Sequence, residues 1–471
     1  LREPFESIPN HSQTRLVERS NSASRIPNIL AASQWYSSDE FVPQTNPNPF
    51  VRDRSWEDRL LQAIKKIEPS QRAAILFDMA RKNRTQGNWN YWSSCLELIL
   101  MESTSSPYAE MAFRELMTYI ASPEVNRMIL SCLEQFDKRS IEETAVSTSV
   151  VPASSPFVKP NEMVVQHASF ANTPRLLPVA NPSEGLSEFR RLLGKFSEAS
   201  NDKRNDPEWG WLISARYRAY ESTRSKEREP VDYRLLWPTL SNNLLAWQSV
   251  WKSEQQWYAG WQSEEKDNQN RFHPNRVRVA SQRPHLDGIR NESTWDRATE
   301  LVLRDPWGDD PLLTKIKFAH DGEFLFLFAE CKSNPGRSSR LEKRQRDLVR
   351  ADQEQIRLRI DLDRDYCTWF ELAWNRQGDA SDQCNDMLGW NPDWFIAVAE
   401  VEDGWQTELA IPFSELLPIS DSVPKHLTDW AINAVHIRPG IATRSIAPAV
   451  SDRLQSDQWT LVHLDFNPPR E

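Results

Sequence analysis

Three aspartates at alternate positions, Asp361, Asp363 and Asp365, follow a stretch of alternating apolar residues. Carboxylates so spaced are the donors a hard cation such as calcium takes. The run lacks the glycine and the distal glutamate of a helix-loop-helix calcium site, and Arg364 stands among the ligands, so a solvated turn competes with the metal reading. A second group is aromatic: Trp374, Trp390 and Trp394, the last two in Gly389-Trp390-Asn391-Pro392-Asp393-Trp394. An indole face stacks on the apolar C–H face of a pyranose while fixed polar groups take its hydroxyls. Trp390 is the one expected in a loop. The competing reading makes all three core or edge residues of a sheet.

Signatures of catalysis are missing. The 13 glycines include no dinucleotide fingerprint, phosphate loop or Gly-x-Ser-x-Gly elbow. The 8 histidines form no His-Glu-x-x-His pattern, and the 5 cysteines (Cys95, Cys132, Cys331, Cys367, Cys384) form no Cys-x-x-Cys pair, so zinc is not expected. A disulfide between Cys367 and Cys384 stands beside the alternative of separate buried thiols. Acids such as Asp393, Glu400, Glu402, Asp403 and Glu408 are plentiful, but strands alternate faces, so neighbours in sequence do not flank one glycosidic bond. No catalytic residue is assigned and an enzyme is not expected.

The elements that must position these groups are spread over 471 residues, a length that allows about three domains. With 39% hydrophobic and 26% charged residues, the chain has material for cores and for polar connectors. A formal charge of -10 makes nucleic acid a poor partner. No apolar run approaches the roughly 20 residues of a spanning helix. The sequence starts at Leu1 with no charged-then-apolar leader, which fits a fragment or a mature protein whose signal was removed.

Residues 1–52, rich in Ser, Asn, Pro and Arg, are expected to be a linker or loose arm. Residues 53–140 read as a helical module: Leu60, Leu61, Ile64 and Ile67, then Ala73, Phe77 and Ala80, recur at helical spacing. Ala109, Phe113 and Leu116 echo Ala73, Phe77 and Ala80 at a period of 36, Gly87-Asn88-Trp89 supplies a turn, and Pro107 opens a helix. Gln71 to Val125 resembles tetratricopeptide-type hairpins, with a plain bundle as the alternative. Residues 141–185 read as a second linker and 186–275 as a Trp-rich helical region. There Leu244, Trp247, Trp251, Tyr258 and Trp261 make a stripe broken by Glu254, expected to pack against other helices.

Residues 276–471 turn to short strands without intervening helices, the pattern of a sandwich. Ordered landmarks mark it: Asp287-Gly288 with Trp295 and Ala298; Lys315 to Phe318 before Asp321, Leu325 and Phe326; Gln355 to Asp361; Asp403-Gly404-Trp405 leading to Glu408-Leu409-Ala410-Ile411-Pro412; Trp430 to Arg438; Trp459 to Phe466. Over about 283–467 this set resembles a family 9 carbohydrate-binding module. The resemblance implies an antiparallel jelly-roll-like β-sandwich that binds sugar without cleaving it. It implies a pair of tryptophans in the sugar slot as well, yet their positions fall at Ala351 and near Arg453, so the pair is not carried over. The family's sandwich can hold structural calcium, with no residue matched.

The fold class expected is therefore multidomain, helical modules followed by a sandwich. The expected function is non-catalytic binding of poly- or oligosaccharide by an exported protein, extracellular or periplasmic, linked to polysaccharide recognition or breakdown. The alternative is a protein-interaction scaffold whose helices take a partner and whose sandwich has lost its sugar site. No cofactor is expected apart from the calcium of the aspartate turn.

Overall fold

A computed structural model describes residues 54–103, 106–119, 122–132, 210–216, 218, 254–255, 275–304, 313–332, 353–385, 390–417, 427–439, 442–446 and 459–466. The two expected linkers, nearly all of the tryptophan stripe, and both Ala351 and Arg453 lie outside these residues. The chain divides into two compact units, Leu1–Phe113 and Arg114–Glu471.

The first unit is helical. α1 spans Arg54–Ile64, α2 Pro69–Thr85 and α3 Trp89–Glu102; α4, Pro107–Tyr119, begins in this unit and runs into the next. Pro69 and Pro107 sit in first turns, where the missing N–H has no partner to lose. Gly87 turns the chain between α2 and α3 with φ 73°, a conformation open to glycine at little cost. The buried face of α3 carries Trp92, Cys95, Leu96 and Ile99. The Trp56 and Tyr91 rings meet at 4.4 Å.

The second unit is built on strands. In order they are β1 Arg276–Val279, β2 Thr299–Leu303, β3 Thr314–His320, β4 Phe324–Lys332, β5 Gln355–Asp361, β6 Phe370–Asn375, β7 Ala380–Cys384, β8 Phe395–Val401, β9 Gly404–Pro412, β10 Asp429–Arg438, β11 Ala442–Ser445 and β12 Thr460–Leu464. Short helices α5 (Thr294–Arg297) and α6 (Phe413–Leu416) lie between strands. The path β7-β6-β5-β10-β12-β1 forms one sheet and β1-β3-β4-β9-β8 the other, with β11 beside β10 and β2 beside β3. Strand β1 belongs to both: Arg276 and Val277 pair with β12, and Arg278 and Val279 pair with β3. Those two pairings are parallel and the others antiparallel, so the sheet system is mixed rather than wholly antiparallel. A bridge between Arg304 and Ser445 ties the sheets a second time.

Side chains alternate along each strand, so one face of each sheet turns inward. Ile356, Leu358 and Ile360 of β5 share their face with Phe370, Leu372 and Trp374 of β6 and with Ile432, Ala434 and His436 of β10. Opposite stand Ile316 and Phe318 of β3, Leu327 and Ala329 of β4, and Trp405 and Leu409 of β9. The faces meet where the Thr314 hydroxyl lies 2.6 Å from His436 Nδ1 and the Trp405 ring 6.1 Å from His436. The result is a two-layer sandwich.

The outer face of the second sheet is closed by residues 280–298, whose Trp295 packs on Phe326, Phe328, Ala319 and Ala410. Gly288, at φ 85°, lets this segment reach the strand below: a Cβ there would stand 2.7 Å from the amide nitrogen of Ala399.

Candidate functional site

The tryptophans singled out by sequence do not share a solvent-facing surface. Trp374 follows Phe370 and Leu372 at strand period and is fully buried between the sheets. Trp390 is fully buried too, stacked on Phe370 at 4.1 Å and 27°, with its Nε1–H donating to the Glu415 carbonyl at 3.3 Å. Neither ring has a face for a ligand to reach. Trp394 is half-buried ahead of β8, and its Nε1–H donates to Asp382 at 3.1 Å.

The outer face of the first sheet holds a different set. Trp369, one residue before Phe370, points to the opposite face and is half-buried. Its ring lies 6.3 Å from Trp459 at 54°, and Trp459 lies 5.9 Å from Tyr366. The Arg359 guanidinium sits over the Trp369 ring at 4.5 Å, a cation–π contact. Arg359 Nε–H donates to Glu371 at 2.7 Å, Arg357 approaches the other oxygen of that carboxylate at 3.7 Å, and Arg357 Nε–H donates to Gln355 at 3.1 Å. The Nε1–H groups of Trp369 and Trp459 are buried without a hydrogen-bond partner among the described residues. Of these three rings Trp459 and Tyr366 are buried and Trp369 is partly exposed, beside planar polar groups held in place by one another. Alternation could have found it: Trp369 shares its face with Glu371, whereas Trp374 goes inward with Phe370.

The aspartate turn is brought together, but not as a solvated loop. Asp361, Asp363 and Asp365 are all buried. Asp361 accepts the N–H groups of Arg364 and Tyr366, each at 2.7 Å, and both of those residues have positive φ. Asp365 accepts the N–H groups of Cys367 and Thr368 at 2.7 Å. Arg216, from the helical run 210–216, forks between Asp363 at 2.5 Å and Asp365 at 2.8 Å. From the helical run 123–132, Glu124 accepts the Leu362 N–H at 2.6 Å and the Thr368 hydroxyl at 3.1 Å. Glu254, which interrupts the tryptophan stripe, accepts the Tyr366 hydroxyl at 2.6 Å and stands 3.7 Å from Arg364. Trp211 packs edge-on against Tyr366 at 5.5 Å. Residues of the helical runs thus dock on the end of the first sheet.

Burial, reinforced by neighbouring carboxylates, pushes Glu124 and Asp361 well above the usual carboxylate range. Burial also moves Asp363 up to about 6 against the pull of Arg216. One oxygen from each of Glu124, Asp361 and Asp363 lies within 4.8 Å of the others, a span that two calcium–oxygen bonds of about 2.4 Å would bridge. The donors fit a hard cation, with Glu124 in the place that sequence spacing gave to Asp365.

The other acids have local partners. Glu408 lies under residues 285–295 and accepts three N–H groups: from Trp295 Nε1 at 2.8 Å and from the backbones of Asp287 and Gly288 at 2.9 Å. Burial raises its pKa while those donors lower it. Glu400 pairs with Arg376, and Asp403 with Lys332. Cys367 and Cys384 are not joined in a disulfide, and burial raises the thiol pKa of both.

The class these observations define is a mixed two-sheet β-sandwich carrying helical segments at one end of its first sheet. Solved structures similar to it include a family 9 carbohydrate-binding module from Caldicellulosiruptor kristjanssonii in complex with glucose. That likeness has 15% identity, covers 42% of this chain and 98% of that one, and gives a TM-score of 0.31. The module in complex with cellotriose matches at 15% identity over 41% of this chain and 95% of that one, with a TM-score of 0.30. No family model matches the chain, and no curated protein matches it.

Proposed function

We propose that the protein binds carbohydrate on the outer face of its first sheet and leaves the sugar intact. The observation that carries this reading is Trp369: a half-buried indole beside Arg359, Glu371 and Arg357. A pyranose needs that combination, a flat apolar surface next to donors and acceptors whose positions are already fixed. Glu371 is engaged with two guanidiniums, so it serves as an acceptor held in place rather than as an acid poised for proton transfer. On this reading the protein works outside the cytoplasm, where polysaccharide is met.

The test is a glycan array with the full chain, followed by calorimetry on the best ligand and including glucose and cellotriose among the probes. Trp369→Ala is expected to weaken binding at least tenfold, and Trp390→Ala to act only through stability. Undiminished binding by Trp369→Ala overturns the assignment of the face. A second reading, an interaction scaffold without a sugar site, draws on the burial of Trp374, Trp390 and Trp459. Absence of binding to any glycan would favour it.

A further inference from the structure

We infer that Glu124, Asp361 and Asp363 bind one divalent cation, calcium by preference, which fastens the helical run 123–132 to the turn after β5. Glu124 lies outside the stretch 283–467 on which the resemblance rests, so the site belongs to this chain's own combination of helix and sandwich.

Charge carries the argument first. Five carboxylates meet at the turn (Glu124, Glu254, Asp361, Asp363 and Asp365), and three guanidiniums face them (Arg216, Arg218 and Arg364), all of them buried. Among the described residues the formal excess is two negative charges on buried side chains, where an uncompensated charge costs several kilocalories per mole in a typical protein. One divalent ion cancels it.

Geometry supplies the second, independent observation. Arg216 occupies Oδ2 of Asp363, and Oδ1 of that residue is buried with no hydrogen-bond partner among the described residues. Asp363 is 3% exposed, so bulk water does not satisfy that oxygen. Asp361 accepts one N–H at each oxygen and Glu124 accepts the Leu362 N–H at Oε1, so these three oxygens each keep a further lone pair, whereas Glu124 Oε2 faces the hydroxyls of both Ser122 and Thr368. The three donor oxygens all lie within 4.8 Å of one another, close enough for one ion with calcium–oxygen bonds of about 2.4 Å to touch them all. The rival neutraliser is a pair of protons shared among the carboxyls, and the two answers part experimentally.

The full chain is stripped with a chelator, exchanged into metal-free buffer at pH 7.5, and titrated with calcium chloride and, separately, terbium chloride. One calcium bound per chain is expected, together with a rise in Tm and terbium emission sensitised by the neighbouring Tyr366 and Trp211. Glu124→Gln and Asp363→Asn should each lower calcium affinity at least tenfold. If the wild type binds no calcium and shows no sensitised terbium emission, protons neutralise the cluster and the inference fails. Calcium bound equally well by both variants fails it too, by placing the ion elsewhere. Should the variants not fold, the wild-type stoichiometry and terbium emission still decide.

Discussion

Two buried carboxylate sites lie beneath different parts of the sandwich, and they differ in how far along the chain their partners come from. Glu408 stands alone under residues 285–295 and is held by three neutral N–H donors, all from one short segment. The turn after β5 gathers several carboxylates and, besides local N–H groups and its own Arg364, meets them with guanidiniums from far along the chain; Arg216 and Asp363 are 147 residues apart. The contrast teaches that a single desolvated acid can be accommodated by local backbone, whereas a cluster needs full positive charges as well, and tertiary structure delivers Arg216 and Arg218.

Removing Arg216 should break the contrast hardest. Arg216→Ala leaves Asp363 and Asp365 buried without their shared guanidinium, and loss of one partner of a buried pair costs about 3–5 kcal/mol. Urea unfolding of the second unit would register it, and a change under 1 kcal/mol would show that the fork contributes little. Glu408→Ala comes next, because it strands three N–H donors, those of Gly288 and Trp295 buried, at a cost of about 2–3 kcal/mol. Glu408→Gln keeps an acceptor and should recover at least half of that loss; if the two variants unfold alike, the hydrogen bonds are not what holds the segment.

The smallest expected effect concerns pH. His436 is fully buried between the sheets, and burial lowers its pKa despite a hydrogen bond to Glu354. A histidine whose folded pKa is depressed takes up its proton in the unfolded chain first, so stability is present above pH 6.5 and declines as pH falls below it. The midpoint of urea unfolding should drop between pH 7 and 5 and drop less in His436→Gln. Equal slopes would assign the pH dependence to other groups.

The strands were legible because alternation is a local signal. Gln355 to Asp361, Trp405 to Ile411 and Trp430 to Arg438 read as strands and are strands. Alternation also held the answer to which tryptophans face inward, since Trp374 keeps the parity of Phe370 and Leu372 while Trp369 does not. The aspartate turn was legible as a carboxylate group but not as a buried one. Its partners Glu124, Arg216 and Glu254 carry no motif; Glu254 read as an interruption of a packing stripe, when its carboxylate in fact receives the Tyr366 hydroxyl. Contacts between residues a hundred or more apart leave no trace in spacing. The parallel pairings of β1 were equally invisible, because a four-residue strand gives no hint of which edges it will join.

That divided strand has a consequence for how the molecule is made. Residues 276 and 277 wait for 463 and 464, while 278 and 279 need 319 and 320. During synthesis β3 and β4 can zip together soon after they emerge, but the β1–β12 seam between layers stays open until about 130 further residues have left the ribosome. Over that interval the edges of both layers are bare, and a chaperone that shields strand edges would be most useful to this protein then.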